Sequence, residues 1–159
     1  LLVMEDIELQ TLKLVKFDKK NSFHISFFKK LNGDPSIKKR FQGLFAPLVS
    51  KERFGRAFLV SDNNDLVGYI EIGEVNLEDY SVYLRAAVDE SKRGHDYGKK
   101  ILSETSEYLF DNTDIRSIKL KIADDNIPSM KVAFSCGYEK IGKEIYKLDN
   151  PYYKKNIRK

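Results

Sequence analysis

A chain of 159 residues, 42% hydrophobic and 33% charged, is long enough to bury one sizeable core and too short for two stable ones. Its 28 basic and 24 acidic side chains give a net charge of +4, which is too mild to indicate nucleic-acid binding by itself. The single cysteine, Cys136, excludes an intrachain disulfide and a cysteine-rich metal cluster.

The sequence predicts a cytoplasmic protein with no membrane partner. No apolar run approaches the ~18 residues of a membrane span, and the N-terminus lacks a basic region followed by a continuous apolar stretch. We expect a single domain over residues 1–159, with a core from about 7 to 148 and a basic tail over 150–159.

Hydrophobic periodicity gives the elements in chain order. Period-two alternation or short apolar runs predict strands over residues 7–17, 57–61, 66–75, 80–88, 115–123 and 138–148. Helical spacing predicts helices over residues 22–31, 36–49, about 97–111 and around 130–134. The resulting order, βααβββαβαβ, indicates a mixed sheet with helices packed on its faces.

The stretch from Tyr83 to Leu102 has the form of a strand, a polar loop with glycine, and a helix start at about Tyr97. The first backbone N–H groups of a helix converge without partners, and the helix dipole adds positive charge, so such a start favours an anion. Arg93 and Lys99 add formal charge there. The stretch therefore predicts a site for a phosphate-bearing ligand.

Two motifs resemble the GNAT superfamily of N-acetyltransferases. Arg93-Gly94-His95-Asp96-Tyr97-Gly98 is similar to the family's pattern Arg/Gln-x-x-Gly-x-Gly/Ala, between the expected strand and helix. Asn126 before a late helix, with Gly137-Tyr138 after it, is similar to the second pattern. The resemblance runs from Ile7 to about Leu148, and is greatest to the branch of ribosomal-protein and other N-terminal acetyltransferases.

This resemblance implies an α/β (α+β) fold with a mixed, mostly antiparallel sheet of six or seven strands. About four helices flank the sheet, which is splayed between its fourth and fifth strands. It also implies acetyl-coenzyme A as cosubstrate, with no metal. The implied cofactor-binding residues are Ala86, Ala87 and Val88 beside the pantetheine arm, Arg93, Gly94, His95, Asp96, Tyr97, Gly98 and Lys99 around the pyrophosphate, and Asn126 and Ser129.

The sequence departs from the family pattern at two positions. Asp96 stands where glycine is usual; aspartate tolerates the left-handed conformation, but its charge is expected to weaken cofactor binding. Ala133 stands where many members have a tyrosine that protonates the leaving thiolate. Tyr138 is interpreted as a core residue, so the general acid stays unassigned.

The implied reaction is direct attack of a primary amine on the thioester. A free alkylamine has a pKa of roughly 10, so a base is needed, and Glu71 is the first candidate, before Glu74 and Glu90. The backbone N–H of Val88 is the candidate oxyanion donor. The candidate acceptor-pocket residues are Tyr80 and Tyr83. Cys136 is interpreted as a buried structural thiol rather than an acyl carrier.

Two other classes of function remain open. A non-catalytic protein that binds or senses acyl-coenzyme A is favoured by Asp96 and Ala133. A nucleic-acid-binding domain is disfavoured because the aromatic residues follow core-like stripes. The sequence does not distinguish a protein N-terminus, a lysine, a polyamine, an antibiotic or a small metabolite as acceptor, and a homodimer through the C-terminal strands is an open alternative.

Overall fold

The computed structural model describes residues 5–41 and 56–153. Within these ranges, one sheet of eight strands runs in the order β1-β2-β3-β4-β5-β6-β8-β7. The strands are β1 (Ile7–Glu8), β2 (Lys13–Lys16), β3 (Arg56–Asp62), β4 (Asp65–Ile72), β5 (Ser81–Val88), β6 (Ser117–Lys121), β7 (Glu139–Gly142) and β8 (Ile145–Asp149). Neighbours pair antiparallel except β5 and β6, which are parallel.

Helices cover both faces of the sheet. They are α1 (Ser22–Gly33), α2 (Pro35–Phe41), α3 (Tyr97–Asn112) and α4 (Ile127–Ser135), with a 3-10 turn at Glu90–Lys92. Leu31 of α1 and Ile37 of α2 pack in a small cluster with Ala57, Tyr69 and Ala87 of the sheet. Neighbouring strand residues point to the opposite face, where α3 and α4 pack on the main core. None of the described helices combines the length and apolar character that a membrane span requires.

Residues at their ends fix the bounds of α1 and α2. Asn21 caps α1, because its side-chain oxygen accepts hydrogen bonds from the backbone N–H groups of Phe23 and His24. Asp34 ends α1, and Pro35 opens α2 directly after it, as its fixed φ favours. The tight connection between α1 and α2 therefore leaves one acidic side chain, Asp34, at the elbow of the two helices.

The predicted mixed, mostly antiparallel fold is confirmed, but the described residues form eight strands rather than the six or seven predicted. The single strand predicted over 7–17 is two strands, with a turn closed by a 2.9 Å hydrogen bond from Leu9 N–H to the Leu12 carbonyl. The strand predicted over 138–148 is a hairpin, in which Glu144 adopts a left-handed φ of 59°. The described part of the second predicted helix is α2; residues 42–49 of that prediction lie outside the described residues.

A buried carboxylate fixes the turn between β1 and β2. Glu104 of α3 is 8% exposed, and its Oε1 accepts hydrogen bonds from the backbone N–H groups of Thr11, at 2.7 Å, and Leu12, at 3.0 Å. The Thr11 hydroxyl donates to Oε2. Buried backbone donors must find acceptors, so this one side chain ties the start of the sheet to the helix across its face.

The sheet is splayed between β5 and β6, the fourth and fifth strands of the sequence prediction. Residue pairing runs only from Ser81 opposite Ser117 to Tyr83 opposite Lys119, although β5 continues to Val88. The predicted splay is therefore confirmed, and it opens a slot beside residues 84–88.

Candidate functional site

The register of β5 decides which of its backbone groups face the slot. The N–H of Asp89 donates to the carbonyl of Val67 at 2.9 Å, and the N–H of Gly73 donates to the carbonyl of Tyr83 at 2.9 Å. In an antiparallel pair, alternate residues direct both backbone groups to the partner strand. The odd-numbered residues of β5 therefore pair with β4, and the even-numbered ones face the other way.

This alternation corrects one of the predicted cofactor contacts. Ala87 lies opposite Tyr69, so its backbone groups face β4, and its side chain is buried. Ala87 is therefore not available as a backbone partner for a ligand in the slot. Ala86 and Val88 direct their backbone groups toward the slot, as a strand-like ligand arm requires.

The loop after β5 has the backbone geometry of an anion site. Gly94 has a φ of 84°, and Asp96 adopts the left-handed conformation with φ 63° and ψ 16°. Helix α3 starts at Tyr97, so the N–H groups of Tyr97, Gly98 and Lys99 lie in its first turn, where no intrahelical acceptor exists. Aspartate thus supplies at position 96 the conformation for which the family pattern has glycine.

Gly98 is the point where three elements of the site meet. A Cβ added at Gly98 would lie 4.0 Å from Cγ2 of Val88 and 3.9 Å from Cγ2 of Val132. The end of β5, the first turn of α3 and the middle of α4 therefore converge there. A ligand that follows the edge of β5 would reach the α3 amides beside α4.

Arg93 is positioned by the protein itself. Its Nη2 donates to the Asp34 carboxylate at 2.8 Å and to the Val88 carbonyl at 3.1 Å. Burial raises the pKa of Asp34, but hydrogen bonds from Ser36 and the Arg93 guanidinium outweigh that effect, so the pKa lies below its ordinary value. The predicted charge partner of the pyrophosphate is thus also a bridge from the loop to the elbow of α1 and α2.

Two further ionic contacts hold the loop. The Lys30 ammonium lies 3.1 Å from the carboxylate of Asp89, whose side chain is 4% exposed. Burial raises the pKa of Asp89, but Ser91 and Lys30 lower it further, and the net shift is downward. The Asp89 charge therefore contributes stability at neutral pH that is lost only as the pH falls through the lowered pKa. Lys92 pairs with Asp65 at the start of β4.

The remaining loop residues divide into one anchored side chain and three exposed ones. The Tyr97 hydroxyl donates to the Asp62 carboxylate at 2.6 Å, and that hydrogen bond raises the pKa of Tyr97. His95, Asp96 and Lys99 are exposed around the α3 start. The role of Lys99 as a cation beside the anion site stays a prediction.

The second predicted motif forms the start of α4. Asn126 is its N-cap, with Oδ1 accepting from the Ser129 N–H at 3.4 Å. Both residues are partly exposed. Their places at the helix start agree with the predicted pantetheine contacts, which stay predictions.

The candidate base lies on the sheet face covered by α1 and α2. Oε2 of Glu71 accepts a hydrogen bond from the Tyr69 hydroxyl at 2.9 Å, and Glu71 lies opposite Arg85 on β5. Burial first, and Glu71 second, raise the pKa of Tyr69 well above its ordinary value, so Tyr69 stays a donor at neutral pH. Tyr83 projects from the same face of β5, 45% exposed.

Tyr80, the other predicted pocket residue, is not brought to this site. It precedes β5 with a φ of 54°, and its ring stacks on the Arg116 guanidinium at 4.7 Å. Eight residue steps separate it from Val88, about 26 Å at 3.3 Å per step. Glu74 and Glu90, the lesser candidates for the base, are exposed, and Glu90 lies in the 3-10 turn rather than beside Glu71.

The side chains of α4 that face α3 do not supply a tyrosine. Ala133, at the usual tyrosine position, is fully buried in the core. Tyr138 is buried as predicted, and its hydroxyl meets the Ser106 hydroxyl at 2.7 Å. The Cys136 Sγ is half-buried, 3.7 Å from the Lys99 carbonyl, and burial raises the pKa of the thiol. A raised pKa disfavours a nucleophilic thiolate, in line with its predicted structural role.

The sequence reasoning missed Asp34, Asp89 and Tyr69. Asp34 was visible only as part of a helix-stopping turn, and nothing local indicates that it contacts Arg93. Tyr69 could have been found, because it lies two residues from Glu71 on a strand and therefore on the same face. Among the described residues, no three His, Cys, Asp or Glu side chains converge as metal ligands do.

The charge of Asp96 gives a testable prediction. Glycine adopts the left-handed conformation without strain, so Asp96→Gly should keep the loop and remove a negative charge from the anion site. We expect coenzyme A to bind up to about fivefold more tightly, the effect of roughly 1 kcal/mol between charges about 4 Å apart in water. Calorimetry at low salt measures this, and unchanged or weaker binding would contradict it. The matched control is Asp111→Gly on the exposed far end of α3.

The comparisons with known proteins agree with this geometry. The family model described as acetyltransferase (GNAT) domain matches residues 10–157. The chain therefore belongs to the GNAT acetyltransferase family, and this membership indicates an acetyl-coenzyme A dependent N-acetyltransferase. No curated protein sequence matches the chain.

Solved structures share the fold at low sequence identity. Spermidine N-acetyltransferase from Vibrio cholerae, in complex with CoA and spermine, has a TM-score of 0.72 at 16% identity, covering 90% of this chain and 98% of its own. The Campylobacter jejuni N-acetyltransferase PseH has a TM-score of 0.63 at 17% identity, covering 87% and 98%. A V. cholerae protein provisionally described as a ribosomal-protein-serine acetyltransferase has 0.66 at 16%, covering 91% and 97%.

Proposed function

We propose that this protein, acting as one domain, transfers the acetyl group of acetyl-coenzyme A to a primary amine by direct attack. The observation that carries the proposal is that residues 84–88 of β5 pair with no described strand on the β6 side, and lead to the left-handed loop at the start of α3. When bound, acetyl-coenzyme A supplies an activated acetyl thioester. The residues of the chain bind the coenzyme, position the amine and accept its proton.

The slot and the loop would hold the coenzyme through backbone groups. Ala86 and Val88 offer strand-edge groups to the pantetheine arm, and the amides of the first turn of α3 receive the pyrophosphate. Lys99 adds a charge at the same helix start. Asn126 and Ser129 contribute from the start of α4.

Glu71 would accept the proton of the acceptor amine. Glu71 is half-buried and lies on the sheet face that α1 and α2 cover. Strand β4 and the hydrogen bond from the Tyr69 hydroxyl fix the position of its carboxylate, as a general base requires. Tyr83 borders the same face and would form part of the acceptor pocket.

The oxyanion donor is better assigned to Ala86 than to Val88. Both N–H groups face the slot, but Ala86 is next to Arg85, which lies opposite Glu71. Val88 lies two residues farther on, about 7 Å along the strand, where Arg93 already binds its carbonyl. The donor must lie close to the carbonyl that the amine attacks, so the position nearer to the base is favoured.

Non-catalytic acyl-coenzyme A sensing is the second candidate function. Two observations favour it: the buried Ala133 leaves α4 without the usual tyrosine, and the Asp96 carboxylate stands at the anion site. A sensor would bind the coenzyme and release no thiol.

An assay of thiol release from acetyl-coenzyme A, against a panel of amines, tests both candidates. The panel comprises peptides with free N-termini, peptides with internal lysines, spermidine, an aminoglycoside and small amino metabolites. Amine-dependent release with one of these classes is the expected result. Tight binding of the coenzyme by calorimetry, without thiol release in the presence of any of these amines, would favour the sensor over the enzyme. No binding at all would reject both.

A further inference from the structure

Ion pairs at the two ends of helix α2 connect it to both sides of the slot. At its start, Asp34 pairs with Arg93 of the loop that follows β5. Near its end, Nη1 of Arg40 lies 2.7 Å from Oδ1 of Asp125, in the turn that follows β6. The two ion pairs thus join one short helix to the two strands that the splay separates.

The packing of α2 places it on the β5 side of the slot. Ile37 is 3% exposed and lies in the cluster that contains Tyr69 of β4 and Ala87 of β5. Seven residues of helix span about 10 Å, and the long Arg40 side chain extends the contact to the β6 side. The preceding helix, α1, is also held on the β5 side, by the pair of Lys30 with Asp89.

We propose that Arg40 and Asp125 are positioning residues, which hold α2 across the slot and thereby shape the acceptor-side wall of the coenzyme site. We call the set of Asp34, Arg93, Arg40 and Asp125 the α2 clasp. The proposal rests on the proposed coenzyme A site. Neither Arg40 nor Asp125 needs to touch the ligand, because each acts through the position of α2.

The two ends of the clasp have different strengths. The Asp34 side chain is 9% exposed, so its pair with Arg93 is partly shielded from water. The Arg40 and Asp125 side chains are 29% and 67% exposed, so solvent screens that pair more. The β6 end is therefore the end that opens first, and it can be tested without touching the cofactor loop.

The test uses five variants of the full chain. Arg40→Ala, Asp125→Asn and the combination of the two break the β6 end, and Arg40→Lys retains the charge. The matched control is Lys140→Ala, which breaks the 3.4 Å pair with Asp124, the neighbouring residue of the same turn, without involving α2. Thermal unfolding verifies that each variant folds.

Hydrogen exchange of the α2 amides measures the clasp itself. The Lys38 N–H, which donates to the Asp34 carbonyl at 3.0 Å, and its neighbours should exchange about two- to fivefold faster in Arg40→Ala and Asp125→Asn. Arg40→Lys should restore protection, and Lys140→Ala should leave it unchanged. High salt should reduce the difference. Equal exchange in wild type, Arg40→Ala and Asp125→Asn would overturn the clasp.

Calorimetry with coenzyme A measures the effect of the α2 clasp on coenzyme binding. The same two variants should bind about two- to fivefold more weakly, with no further loss when combined, while Arg40→Lys and the control bind like wild type. Faster exchange with unchanged affinity would overturn the positioning role. If wild type bound no coenzyme A, the proposed function and the positioning role would both fall, and faster exchange would still support the clasp.

Discussion

Replacing Glu71 by glutamine is expected to lower kcat by about 10²- to 10⁴-fold, the usual contribution of a positioned general base. Glutamine keeps the size of the side chain, and its amide oxygen can still accept from Tyr69, at 2.9 Å in the native protein. Folding should therefore survive, and the loss should appear in catalysis. Steady-state thiol release with the acceptor found in the amine panel measures it.

The pH dependence distinguishes a base from a packing residue. A base acts only when ionised, so the acidic limb of the kcat profile should disappear in Glu71→Gln, whereas a structural defect would scale the whole profile. Glu139→Gln, on the exposed strand β7, is the matched control and should behave like wild type. Full activity of Glu71→Gln would show that a water path or another carboxylate, and not Glu71, accepts the proton of the amine.

Replacing Glu104 by alanine is expected to destabilise the protein by about 2–4 kcal/mol, because two backbone donors at the turn between β1 and β2 lose their acceptor. Thermal unfolding should show a melting temperature lower by roughly 5–15 °C in a domain of this size. The proposed coenzyme site uses the first turn of α3, more than one helical turn before Glu104, so binding at low temperature should persist.

Two further variants make the Glu104 result specific. Glu104→Gln retains one acceptor oxygen for Thr11 and Leu12, and should recover part of the stability. Glu107→Ala, one turn farther along the same helix but exposed, should change stability by no more than about 0.5 kcal/mol. If Glu104→Ala had the same melting temperature as wild type, the backbone N–H groups of the turn would have other acceptors, and the prediction would be wrong.

Features that depend on neighbouring residues could be predicted from the sequence. Around Arg93 to Gly98 the hydrophobic periodicity changes from that of a strand to that of a helix, with a glycine-containing loop between them. The structure has the strand, the loop and the helix at those residues. The cap of α4 follows from Asn126, since side-chain capping acts over two or three residues. The family motifs add the splay, which no local pattern contains.

Contacts between distant residues could not be predicted. The turn at Leu9 to Leu12 interrupts a regular alternation, and the acceptor that holds it, Glu104, comes 92 residues after Leu12. Arg93 and Asp34 are 59 residues apart, and neither is surrounded by a pattern that indicates its partner. A charged side chain at a turn can contact water or many different partners, so only the packed structure shows which partner it contacts.

Tyr80 illustrates the limit of period-two reasoning. The alternation extends the strand over 80–88, which places Tyr80 beside Tyr83 near the site. The left-handed φ of Tyr80 instead turns the chain before β5, and Arg116 holds the ring by a cation–π contact. A propensity for β structure in an aromatic residue says little about whether the strand begins before it or after it.

The edges of the sheet have a consequence for solubility. An unpaired strand edge is a template on which a second chain can aggregate. At the outer edges, β1 has only two residues, and β7 carries Glu139 and Lys140, both exposed. These features, short length and charge, are common protections against edge-to-edge pairing.

Among the described residues, β5 is also unpaired on its β6 side at Ala86 and Val88, and the small apolar side chains there give it no such protection. This edge lies inside the sheet, because β6 pairs with β5 at residues 81–83 and diverges beyond them. A strand of another protein could pair with Ala86 and Val88 only by entering between two strands of the same sheet. The partial pairing of β5 with β6 thus restricts access to the edge that it leaves open.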